Sequence, residues 1–120
     1  MGAREDPIHI FALKWLRLSL KGAVVHHSPN ESPSNVNKGW KHRNYKMGTV
    51  TGWPDLEAIW NGHVLFLEIK APKGRITQTQ EDVAVRLQAA GAHYYVVRSP
   101  EQAMAAVEDF KLAVMAESEA

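Results

Sequence analysis

The sequence contains no cysteine. That excludes disulfides, thiolate metal centres and cysteine nucleophiles. A dominant charge is missing too: 14 Lys and Arg stand against 13 Asp and Glu, a formal net charge of +1. No global field selects an acidic partner, so any nucleic-acid surface must come from local clustering. There is no apolar run of about 18 residues and no secretory signal pattern. The simplest expectation is a soluble, cytoplasmic protein of a bacterial or phage-infected cell, with no membrane partner. Internal repeats are absent as well. What is present is a core: 45% of the 120 residues are hydrophobic, enough for one compact domain. We expect that domain over residues 1–116, with residues 117–120 as a frayed tail.

Asp6-Pro7 has the form of a helix start, aspartate capping and proline at the first helical position. Ile8, Phe11, Trp15 and Leu18 follow at spacings of three and four, an apolar helical stripe that Gly22 ends. Ala23 to His26 reads as a short strand. From Ser28 to about Lys46 the chain turns polar and loses periodicity, and a loop that long inside a compact domain is usually functional or disordered. Two strands, Asp55 to Trp60 and His63 to Lys70, are joined by Asn61-Gly62, the strongest short-range hairpin signal. Thr77-Gln78-Thr79-Gln80 is a capping box that opens a helix with Val83, Ala84 and Leu87 inward. His93 to Arg98 is a strand. Ser99 to Gln102 caps a last helix that buries Ala103, Val107, Phe110 and Val114. The order αβββαβα predicts an α/β fold, a mixed sheet flanked by helices.

A two-residue turn fixes the hairpin register. Trp60 faces His63, which puts Asp55 directly opposite Glu68. Alternation then places Trp53, Asp55, Glu57, Ile59, Val64, Phe66, Glu68 and Lys70 on one face and Leu56, Ala58, Leu65, Leu67 and Ile69 on the other. Opposed side chains have Cβ atoms about 5 Å apart. Two carboxylates at that spacing repel, and burial against Phe66 sharpens the conflict. A divalent cation, Mg²⁺ or Mn²⁺, resolves it: Asp55 and Glu68 supply hard oxygen ligands, and the Ile69 carbonyl is a third candidate. Lys70, two residues beyond Glu68, shares the face and can orient or deprotonate a water or stabilise developing phosphoryl charge. On this reading Asp55→Ala stabilises the metal-free protein by relieving repulsion.

Glu-x-Lys alone is a common and weak signal. The longer pattern is more specific. Gly52-Trp53-Pro54-Asp55-Leu56, Glu68-Ile69-Lys70, Gly74, Ile76-Thr77 with Gln80, Gly91 and Val96-Val97-Arg98-Ser99 resemble the virus-type replication-repair nuclease (VRR-NUC) domain of the PD-(D/E)XK superfamily. The first helix and Pro29-Asn30 are similar too. The resemblance implies a restriction-endonuclease-like core and metal-dependent DNA cleavage in replication or repair. It also implies that a glutamate near the start of the first helix joins the site; Glu5 is the match, with Asp6 close by. Gln80 becomes an active-site residue as well as a helix cap.

The remaining candidates are weighed against plainer readings. Lys38, Lys41, Arg43 and Lys46 interleave with Trp40 and Tyr45, either as a solvated loop or as a phosphate-tracking arm with aromatics for unpaired bases. Lys73 and Arg75 follow the Glu68 strand and are placed to hold the DNA backbone. Glu57 has catalytic parity but lies nearer the turn, as a solvated or paired acid. His26 and His27 are adjacent on a strand, point to opposite faces and cannot chelate one ion together. His9, one turn past Glu5, could face the site, although a surface position is commoner for a helix histidine. Trp53 is expected to shape the pocket, and Trp15, Trp60 and Phe110 to belong to the core. The expected function is a metal-dependent DNA endonuclease, structure-selective for branched DNA such as four-way junctions and working as a homodimer. The alternatives are a non-catalytic DNA-binding module on a nuclease fold and a sequence-specific, restriction-like endonuclease.

Overall fold

A computed structural model describes residues 4–29, 43 and 46–119. In chain order the elements are α1 (Asp6–Ser19), β1 (Val24–His27), β2 (Leu56–Trp60), β3 (His63–Ile69), α2 (Gln78–Ala89), β4 (His93–Val97) and α3 (Pro100–Ser118). The strands form a four-stranded sheet in the order β1-β2-β3-β4. Both β1–β2 and β2–β3 are antiparallel, while β4 runs parallel to β3. The parallel step needs a crossover, which α2 supplies. The sheet is therefore mixed, as the element order implies.

The hairpin has the expected register, Trp60 opposite His63 and Leu56 opposite Leu67. Asn61 and Gly62 both have positive φ, 50° and 79°, the geometry of a type I′ turn. One sheet face carries Leu56, Ala58, Leu65, Leu67, Ile69 and Val97. These residues pack against Ile8, Ala12, Leu16 and Leu20 of the α1 segment and Ala103, Val107, Phe110 and Val114 of α3. Helix α2 packs on β4 and buries Val83 and Ala84 apart from that cluster. Trp60 and Trp15 border the core and are only partly buried.

Helix α1 departs from its sequence reading in two ways. Glu5, not Asp6, occupies the N-cap position, and its side chain makes no capping hydrogen bond; Asp6 is already helical. The buried stripe is Ile8, His9, Ala12 and Leu16, whereas Leu18 is 72% exposed. Large side chains drew the expected stripe through Phe11, Trp15 and Leu18. Close packing against α3 instead selects the small Ala12 at the contact, which rotates the helix. At the other terminus α3 runs on to Ser118, and Glu117 pairs with His63 at 3.2 Å. Among the described residues, no helix is long and apolar enough to cross a membrane.

Candidate active site

The face of the sheet away from the core ends in a cleft of about 690 Å³. Strand β2 begins at Leu56, so Asp55 sits in the bend just ahead of it. The bend is held from both sides. The Asp55 carbonyl accepts the Ser28 N–H at 2.9 Å and lies 3.1 Å from His27 Nδ1. Its carboxylate Oδ2 accepts the Ile69 N–H at 2.7 Å. Asp55 is thus tied to the last residue of β1 and to β3. Pro54 beside it is fully buried, and Gly52 has φ of +86°. A Cβ on Gly52 would lie 3.0 Å from the Thr79 carbonyl oxygen, so only glycine lets this bend approach the start of α2.

Glu68 is 1% exposed, and its Oε1 has no hydrogen-bond partner among the described residues. Burial, then hydrogen bonding to Asp55 and its negative charge, push the Glu68 carboxyl up to about 9, with Lys70 acting in the opposite sense. The two acids therefore share one cleft in conflict, as the register predicts. Lys70 is half-buried, lines the same cleft and has its backbone fixed by the Val97 carbonyl at 3.0 Å. Glu5 and Asp6 both line it from the start of α1.

Gln80 caps a helix and lies at the cleft. Its Oε1 accepts the Thr77 N–H at 3.0 Å while its own N–H donates to Thr77 Oγ1 at 3.1 Å, a complete capping box. The side chain also lines the cleft. Capping occupies the amide oxygen, so the group left to face the cleft is the Nε2 donor. Trp53 forms part of the wall, its ring edge-on to Phe66 with centroids 5.3 Å apart. Glu57 pairs with His26 and Phe66 in the ladder and is not a lining residue.

The structure corrects the histidines. His9 is 9% exposed rather than on the helix surface, and its Nδ1 is buried without a partner among the described residues. Burial and the neighbouring His27 lower its pKa, against the pull of Asp55 and Asp6. The two rings meet edge to face at 4.5 Å, and both line the cleft. Parity had separated His27 from His26 correctly, but which of them faced the acids depended on how β1 joins β2. Tyr94 is the other residue sequence reasoning missed. Across the parallel seam Phe66 pairs with Tyr94 and Glu68 with Val96, which puts Tyr94 on the Glu68 face. No local signal fixes a parallel register.

The basic residues are less gathered. Lys38 and Lys41, with Trp40 and Tyr45, lie outside the described residues. Arg43, Lys46, Lys73 and Arg75 are exposed and do not line the cleft. The turn carrying Lys73 and Arg75 is pinned to the end of β4, where Arg98 Nε donates to the Gly74 carbonyl at 3.1 Å. Among the described residues, no three His, Asp or Glu side chains converge as a metal-binding group.

No protein-family model matches the chain, and no curated protein does. Solved structures do. One VRR-NUC domain protein superposes with a TM-score of 0.68 at 22% identity, covering 91% of this chain and 88% of its own. A second VRR-NUC domain gives a TM-score of 0.61 at 22% identity, covering 89% and 97%. The chain has the fold of a VRR-NUC domain. The VRR-NUC fold extends over nearly all of both solved chains, so the architecture expected from the motif is borne out across the molecule and not only around Asp55 to Lys70. At this identity the likeness speaks for the fold; the chemistry rests on the residues in the cleft.

Proposed function

We propose that this protein is a divalent-metal-dependent DNA endonuclease. The observation that carries the reading is the buried Glu68 oxygen beside Asp55, without a hydrogen-bond partner among the described residues and in one cleft with Lys70. A buried acceptor left without a donor is costly, and a cation would satisfy it. The donor set fits Mg²⁺ or Mn²⁺: two carboxylates and the Ile69 backbone carbonyl, with water completing the shell. Hard oxygen donors of this kind suit a hydrated ion and not a closed structural zinc site. When bound, the cation supplies charge neutralisation at the scissile phosphate.

The chain's own residues do the rest. Asp55 and Glu68 are held rigidly by neighbouring strands, so little reorganisation accompanies the reaction. Lys70 Nζ orients the attacking water and stabilises charge on the phosphoryl oxygens. Water attacks phosphorus in line and gives up a proton to solvent, the opposite P–O bond breaks, and the departing oxygen takes up a proton from solvent. Gln80 Nε2 donates to a phosphate oxygen from a helix start that itself favours anions. Glu5 joins the site from α1, beside Asp6.

The substrate we favour is branched DNA, such as a four-way junction, cut by a homodimer. Nothing in the sequence resembles a base-reading recognition helix for the major groove, and symmetric cleavage of a junction needs two sites. The test is a cleavage panel with Mg²⁺ or Mn²⁺ and with chelator, alongside Lys70→Ala. We expect metal-dependent cleavage that Lys70→Ala reduces by orders of magnitude. DNA binding without cleavage under every metal would overturn the enzymatic reading.

A further inference from the structure

On the sheet face that carries Glu68, two buried polar atoms lack hydrogen-bond partners among the described residues: Glu68 Oε1, which borders the cleft, and the Tyr94 hydroxyl behind it. Each polar orphan in a folded core calls for a reason. Here the chemistry is complementary, since a phenol is a donor and a carboxylate oxygen an acceptor. The two groups feel each other: Tyr94 favours the ionised form of Glu68, and Glu68 together with burial raises the Tyr94 pKa. The strand register makes the neighbourhood obligatory, because Tyr94 sits two residues along from Val96, the direct partner of Glu68, and so on the same face.

We infer that Tyr94 is a positioning residue for Glu68, its hydroxyl turning to donate to Oε1 of the carboxylate that would hold the cation. This rests on the nuclease reading and adds a function for a residue that reading leaves idle. Hydrogen bonds to ligating carboxylates fix their orientation, and losing such a partner typically costs 10–100-fold in metal affinity. Without the Tyr94 donor, one buried oxygen of Glu68 has nothing to hold it as the other faces Asp55. Tyr95, next in sequence, provides the control. It projects to the opposite face and donates its hydroxyl to Asp109, so it is tied to α3 and not to the site.

The experiment is calorimetric titration of Mn²⁺ into the native protein, Tyr94→Phe and Tyr95→Phe, with the melting temperature of each metal-free protein measured in parallel. We expect Tyr94→Phe to bind Mn²⁺ about 10-fold more weakly without a lower melting temperature. Tyr95→Phe should melt earlier yet bind Mn²⁺ as the native protein does. Native-like Mn²⁺ affinity in Tyr94→Phe, or equal weakening in both variants, overturns the assignment. If the native protein binds Mn²⁺ and cuts DNA while Tyr94→Phe does both equally well, only the role of Tyr94 falls. If the native protein binds no Mn²⁺, the nuclease reading falls and this inference with it.

Discussion

A carboxyl group that is 1% exposed, without a partner at one oxygen among the described residues and faced by a second acid is costly to ionise. Its proton is therefore a stability term. The unfolded chain releases it near the ordinary value of 4.5, the fold only near 9. The folded state thus binds more protons across that interval. Glu68 contributes stability that is fully present below about 4.5 and lost as pH rises through about 9. We expect metal-free protein to lose stability toward alkaline pH, by up to about 1.4 kcal/mol per unit from this group. Urea midpoints at several pH values check it, and Glu68→Gln should flatten the trend. Added Mn²⁺ should restore alkaline stability, since a cation binds only the ionised acids. Asp55 behaves differently from the sequence expectation. Its carboxylate accepts the Ile69 N–H, so Asp55→Ala strands a part-buried donor, costing about 1–3 kcal/mol. That offsets the relief of repulsion, and we expect a lower melting temperature in place of the stabilisation that repulsion alone predicts.

At the scale of elements, the start of α2 carries two duties that one substitution can separate. Gln80 caps the helix through its oxygen and reaches the cleft. Glutamate keeps that oxygen, and it is the other common residue at this capping position. Gln80→Glu should therefore melt as the native protein does, yet cleave more slowly, because Nε2 is lost. Thr77→Ala should show the reverse, about 1 kcal/mol less stable with cleavage largely kept. Gly52→Ala should fail at both, with strained φ and a 3.0 Å approach to Thr79 coupling the Asp55 bend to α2. Thermal melts and initial cleavage rates on the same preparations check all three. Local rules explain why so much of this region was legible. Asn61-Gly62 fixed the hairpin register, so Asp55, Glu68 and Lys70 could be grouped before any coordinates; Thr77 to Gln80 marked the helix start, while the place of Gln80 beside the acids came only from the family resemblance. What escaped was non-local. The face of α1 is set by packing on α3, which buries Ala12 and exposes Leu18. The positions of His9, His27 and Tyr94 follow from how α1, β1 and β4 join the hairpin, and no turn or cap encodes that.

For the molecule as a whole, the proposed nuclease role raises the question of how one small cleft would take hold of DNA. A net charge of +1 supplies almost no general attraction, so binding must be concentrated in a few cations. Lys73 and Arg75 are exposed on a turn that follows β3 and is anchored by Arg98 to Gly74. An anchored turn places its charges at a fixed distance from Glu68, which a free loop would not. Phosphate contacts carry a signature: each one lost lowers the slope of log affinity against log salt by about 0.9 on duplex DNA. We therefore expect Lys73→Ala with Arg75→Ala to weaken DNA binding and reduce that slope by about 2. Cleavage at saturating DNA should change little, because neither side chain lines the cleft. The same titrations on a four-way junction and a linear duplex test the branched-DNA proposal. A dimer astride a junction engages the turn twice, so the double substitution should cost about twice the slope on the junction. Equal slopes and equal cleavage rates on the two substrates would refute the paired, structure-selective mode while leaving a single-site nuclease standing.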